Sequence, residues 1–139
     1  VSILKINTSL ERMADFAGHI AERAIDITAH AAPPHNEMFD FTPMHKVVQS
    51  MLHDTLTVIS RSDVDVAYRV IEQDNTVDSM RSEHRNHVRQ SLARCPHHAD
   101  YFMDCHGLAR DLERIADLCT DICEHIIYLR TASIIRHSM

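Results

Sequence analysis

Residues 111–129 read DLERIADLCTDICEHIIYL, and residues 9–27 read SLERMADFAGHIAERAIDI. At an offset of 102, eight of the nineteen positions are identical: Leu10/Leu112, Glu11/Glu113, Arg12/Arg114, Ala14/Ala116, Asp15/Asp117, Ile20/Ile122, Glu22/Glu124 and Ile25/Ile127. A match this dense within one short chain marks an internal duplication. Three acids and an arginine are among the kept residues, so the repeat retains more than an apolar stripe.

Both copies read as amphipathic helices at ~100° per residue. In the second copy Leu112, Ile115, Cys119, Ile122 and Ile126 share one side, and Glu113, Asp117, Asp121 and Glu124 fall nearly opposite. In the first, Ile6, Leu10, Met13, Ala17, Ile20 and Ala24 form the apolar side. Glu11, Asp15, Glu22 and Asp26 form the acidic side, with His19 beside them.

Working outward, the whole chain reads as helix. Its 139 residues suit one domain with one core, and 2 Gly, 4 Pro and no Trp leave few turns and little barrel or sandwich character. The first helix is expected from near Ser2 to about His30, stopped by Pro33 and Pro34. A loop covers Ala31 to Phe41. Thr42 is the expected N-cap of a second helix, with Pro43 at its first position, running to about Ser60. Ser62 with Asp65 resembles a capping box for a third helix over Asp63 to Ala93. Pro96 opens the fourth, which runs to about His137, roughly 60 Å at ~1.5 Å per residue, with Gly107 as a possible weak point.

The short connections around the third helix make neighbours antiparallel, so residues 43–139 read as an up-down-up three-helix bundle. Residues 1–32 read as the last helix of an incomplete preceding repeat, and 33–42 as a linker. The fold class is all-α. The exposed apolar side of the first helix needs cover, from the intact bundle or a second chain, which predicts a dimer or an exchanged helix.

Composition narrows function. A net charge of -6 with no basic run argues against nucleic acid as a partner. No apolar run approaches the ~18 residues of a membrane span, and no secretory pattern is present, so the chain reads as cytoplasmic. The four cysteines, Cys95, Cys105, Cys119 and Cys123, match no zinc or redox spacing, and Cys119 and Cys123, one helical turn apart, read as small buried hydrophobes. Twelve histidines are scattered, and His84/His87 and His97/His98 read as surface pairs.

The carboxylate rows admit two readings. Most such rows are solvated faces. Yet Glu11, Asp15 and Glu22 repeat without lysine partners at i+4, and like charges at that spacing cost ~0.2–0.5 kcal/mol per pair. Hard carboxylates one turn apart can chelate Mg²⁺, Mn²⁺ or iron. Asp74 and Asp78 on the third helix have the same spacing and could face Glu113/Asp117 across the bundle. None of the seven glutamates has a histidine three residues later, which argues against a catalytic di-iron oxidase. No phosphate-binding glycine loop or nucleophile elbow is present.

The segments LERMADFAGHIAE and LERIADLCTDICEHIIYL resemble the LERxGDxxxNIAE signature of the phosphate-uptake regulator (PhoU) family. VAYRVIEQDNTVDSM is similar to the family's middle helix, and IIYLRTASIIRH to its last turns. The resemblance implies a tandem of three-helix bundles with clusters of metal ions, iron, zinc, magnesium or manganese, on E(D)xxxD pairs. By position these are Glu11/Asp15, Asp74/Asp78 and Glu113/Asp117. It departs at the signature Gly, here Ala14 and Ala116, and at the signature Asn, here His19 and Asp121, which could add ligands. It implies a non-enzymatic, cytoplasmic or membrane-peripheral regulator of a phosphate ABC transporter ATPase and a sensor histidine kinase. The alternatives are a domain associated with a sodium/phosphate cotransporter and, from another class, a metal-dependent phosphatase.

Overall fold

A computed structural model describes residues 2–138. It has four α-helices: α1 (Ser2–Ala29), α2 (Thr42–Arg61), α3 (Val64–Arg94) and α4 (Ala99–Ser138). Short 3₁₀ turns, His35–Glu37 and Pro96–His98, precede α2 and α4. No strand occurs among the described residues, so the all-α expectation is met.

The ends of the helices differ from the sequence reading in two places. Thr42 is the first residue of α2 rather than its cap, and its N–H donates to Asp40 Oδ1 at 2.9 Å. An aspartate two residues upstream makes this local turn more strongly than a hydroxyl. Ser62 does not cap α3. It sits at φ 52°, ψ 38° and closes α2, its N–H donating to the Val58 carbonyl at 2.8 Å. A left-handed residue is what reverses the chain so tightly. Asp63 then caps α3, accepting from the Val66 N–H at 3.1 Å.

Helix α4 is the shared core element. Leu108, Leu112, Ile115, Ala116, Cys119, Ile122, Cys123 and Ile126 are buried along it against Met44, Val48, Met51 and Val58 of α2 and Ala67, Val70 and Val77 of α3. Each fully buried aliphatic side chain contributes about 1.5–3 kcal/mol. Thr55 of α2 lies 3.9 Å from Cys123 Sγ and Ile59 shares a cleft with Ile126 and Leu129, whereas Arg81 of α3 lies 3.3 Å from His106 and the earlier Asp74 and Asp78 approach the later Asp117, so α2 runs parallel and α3 antiparallel to α4. Cys105, Cys119 and Cys123 are buried free thiols, and burial pushes the last two up to about 11. They act as small apolar groups, as the spacing suggested for Cys119 and Cys123.

Helix α1 packs antiparallel along another side of α4. Ile6, Leu10, Phe16, Ile20 and Ile27 lean on the core, and Met13 is buried in it. The apolar stripe of α1 is thus covered by its own chain. Ala17 and Ala24, expected on that stripe, are exposed, because Phe16 and Ile27 reach further at the contact. Exposed Ile3 and Ile25 mark the face turned away.

Gly107 does not break α4, which is continuous across it. A side chain at this position would collide with the Arg23 guanidinium. The bare backbone lets Arg23 lie flat and donate from Nε to Asp111 Oδ2 at 2.9 Å, with Asp111 only 2% exposed.

The connector between α1 and α2 is strapped down. His30 Nε2 pairs with Asp104 at 2.7 Å, His98 with the Ala31 carbonyl at 3.1 Å, and His87 with the Glu37 carbonyl at 2.9 Å. Phe39 packs edge-on to His84 with centroids 4.1 Å apart. Of the expected surface pair His84/His87, His87 is only partly covered and His84 is interior. His84 is fully buried because the connector folds over α3.

Candidate functional site

One carboxylate group stands out. Asp74 and Asp78, one turn apart on α3, and Asp117 on α4 bring one oxygen each within 4.8 Å of one another. The antiparallel packing of α3 on α4 creates this convergence, because it sets the i, i+4 pair of one helix opposite the acidic stripe of the other. Asp74 is half-buried and its Oδ1 has no hydrogen-bond partner among the described residues. Buried carboxylate oxygens are ordinarily satisfied.

Electrostatics mark the same spot. Loss of water around its carboxyl, then the charges of Asp74, Glu113, Asp78 and Asp121, push Asp117 up to about 6. Asp74 is raised by the same causes, burial first, then Asp78, Glu113, Asp121 and Glu124. Glu113 is half-buried and Asp121 exposed. Both are near enough to act on the trio. Uncompensated acids drawn together this way favour a proton or a hard cation.

The residues on α1 are not gathered there. Glu11 and Asp15 are exposed, with Glu11 accepting from Asn7 Nδ2 at 3.3 Å. His19 is exposed and edge-on to Phe16, centroids 5.9 Å apart. Among the described residues these three make no metal-type group with a third ligand. The orphan Asp74 oxygen and the all-oxygen donor set suit a hard cation held by Asp74, Asp78 and Asp117 with Glu113 beside them.

Other polar residues escaped the sequence reading. Glu37 in the connector is buried, bonded bidentately by Arg94 at 2.7 and 2.9 Å and by Ser91 Oγ at 2.7 Å. Those bonds, Arg94 first and then Ser91, hold it down to about 2. Arg81 lies one turn past Asp78 on the same stripe and is 4% exposed. Nε and Nη1 lack partners among the described residues. Burial lowers the pKa of Arg81, with Glu113 opposing and Arg85 and Arg110 adding to the shift.

Known proteins match this arrangement. The PhoU domain family matches residues 41–126. The phosphate-specific transport system accessory protein PhoU of Serratia marcescens is 31% identical over 140 residues, covering 99% of this chain and 56% of that protein. The PhoU homolog of Aquifex aeolicus is 33% identical over 137 residues, covering 99% of this chain and 61% of that protein. The crystal structure of PhoU from Pseudomonas aeruginosa superposes with a TM-score of 0.86 at 28% identity, over 94% of this chain and 62% of that one. The chain spans a little over half the length of the curated relatives it matches. No described helix is long and apolar enough to cross a membrane. With the LER repeats, the paired acids of α3 and α4 and the superposition in agreement, the chain belongs to the PhoU family.

Proposed function

We propose that this chain is the PhoU-like part of a regulator of phosphate uptake, acting by protein–protein contact and carrying a hard-cation site on Asp74, Asp78, Asp117 and Glu113. The observation that carries the reading is the convergence of three carboxylates from two helices around an unsatisfied oxygen. Asp121 supplies further negative charge at the mouth. Glu11 and Asp15, with His19 a turn on, form a shallower second cation site that needs ligands from another element. Iron, zinc, magnesium or manganese are the candidate ions, favoured in that carboxylates are their hard or borderline donors. When bound, the ion supplies fixed positive charge. The residues themselves orient α3 against α4 and exclude water from one side.

The relatives are named accessory proteins of the phosphate-specific transport system. By the family resemblance, the partners we propose are the ATPase of a phosphate ABC transporter and a sensor histidine kinase, met at the cytoplasmic side or membrane periphery. A homodimer through the outer face of α1 fits exposed Ile3 and Ile25. Elemental analysis of the purified chain tests the core of this. Metal in the parent, background levels in Asp74→Asn/Asp117→Asn and no phosphatase turnover support it. Absence of metal from the parent, or turnover lost with Asp117→Asn, overturns the binding-only reading.

A further inference from the structure

A cleft of about 430 Å³ lies between α1 and α4, and none of the carboxylate trio lines it. Its floor is the Arg23–Asp111 pair, made possible by Gly107. Arg110 and Arg114, one turn apart on α4, line it too. Like charges at that spacing repel. Arg110 reaches only Asp111, at 3.9 Å, an acid already bonded to Arg23, and Arg114 makes no ion pair among the described residues. Arg114 instead rests over the Phe16 ring, 5.6 Å from its centroid, which props the guanidinium at the cleft.

The cleft wall carries both signs, with Arg23, Arg110 and Arg114 set against Glu22, Asp26 and Asp111. His106, one turn from Arg110, has its pKa lowered by burial and then by Arg81, Arg110, Arg85 and Arg23. Of these four arginines, Arg23 and Arg110 line the cleft, while Arg81 and Arg85 stand on α3. Glu22 and Asp26 line the α1 wall of the same cleft, and neither forms an ion pair among the described residues. Arg23 is spoken for, whereas Arg110 and Arg114 hold most of their donors uncommitted.

We propose that this cleft binds a tetrahedral oxyanion of the phosphate class, gripped by Arg110 and Arg114 above the Arg23–Asp111 floor. Planar guanidinium forks match phosphate oxygens two at a time. Glu22 and Asp26 weaken the grip and keep it reversible. The proposal depends on the regulator reading only for the choice of inorganic phosphate as first probe.

Calorimetric titration of the whole chain at low ionic strength, with inorganic phosphate, phosphoserine and sulfate, tests it. One saturable phosphate site is expected, weakened at least about tenfold in Arg110→Gln/Arg114→Gln and tightened in Glu22→Gln/Asp26→Asn, with metal content unchanged in all variants. A stronger response to phosphoserine identifies a phosphorylated partner as the source, and a stronger one to inorganic phosphate identifies the free ion. If the glutamine variant loses helicity, Arg110→Lys/Arg114→Lys keeps the charge, loses the forks and gives an intermediate weakening. No saturable binding of either phosphate form, equal binding of sulfate, or indifference to the arginine substitutions overturns the proposal. Metal lost with phosphate binding intact breaks only the carboxylate reading.

Discussion

Glu37 and Asp117 are both carboxylates set against α3, and they have been driven in opposite directions. Glu37 is the more enclosed of the two, yet Arg94 and Ser91 hold it down to about 2. Asp117 is more open, yet loss of water around its carboxyl, and then the neighbouring acids, push it up to about 6. The difference lies in the partners. A carboxylate given donors becomes a strut that pins the connector, and one partly stripped of water and given only acidic neighbours holds its proton to higher pH.

Substitution separates the two most sharply. Glu37→Ala leaves Arg94 and Ser91 without their acceptor and frees the connector. It should give the largest fall in unfolding midpoint of the variants discussed, in urea followed by circular dichroism. Asp74→Asn/Asp117→Asn does the reverse in metal-free buffer. It relieves repulsion and should raise stability by less than about 1 kcal/mol, since these groups are partly solvated. Added cation at a hundred times its dissociation constant should stabilise the parent by about 2.7 kcal/mol and the double variant by nothing measurable. A double variant as metal-responsive as the parent would erase the contrast.

Acidity sharpens it further. Asp117 has a folded pKa raised from 3.8 to about 6. Its contribution to metal-free stability is therefore present at low pH and fades as pH rises through about 6. His84 has the opposite sign. Burial first, then Arg81, lowers it from 6.5 to about 4. Its neutral ring stabilises the fold above pH 6.5, and about 3 kcal/mol is lost as pH falls through about 4. In unfolding curves between pH 7 and 4, the stability of the parent should fall relative to that of His84→Phe, which lacks this titration. Parallel curves would show that His84 does not titrate on unfolding. Glu37 adds its own loss only lower, as pH drops from 4.5 toward 2.

The smaller effects concern Arg23. Arg23→Ala leaves Asp111 buried without its main donor and should cost about 2 kcal/mol, below the usual range for a buried pair because Arg23 is partly open. Gly107→Ala displaces the same guanidinium but gains ~1 kcal/mol of helix propensity, so its net cost should be under about 1 kcal/mol by urea unfolding. A clear gain from Gly107→Ala would mean that Arg23 is not held where the structure places it.

What the sequence made legible follows periodicity. Long apolar stripes gave α1, α2 and α4, and the i, i+4 acids with short connections placed Asp74 and Asp78 opposite Asp117. Contacts between distant residues left no such trace. Glu37 meets Ser91 and Arg94 across 54 and 57 positions, and nothing near Glu37 announces either. Gly107 read as a weakness because its use depends on Arg23, a residue 84 positions away. Ser62 read as a cap because a serine before an acid suits both a helix start and a left-handed stop, and only the chain reversal decides.

The strapped connector has a consequence for how the chain meets proteases. Residues 31–41 would ordinarily be the first cut, being long, irregular and rich in turn formers. Here His30, His87, His98, Phe39 and Glu37 clamp it at intervals against α3 and α4, and cleavage needs about ten consecutive residues to peel away together. The tail of α4 beyond Leu129 projects with almost every side chain exposed. Limited digestion should therefore trim the carboxyl end well before it nicks the link between α1 and α2.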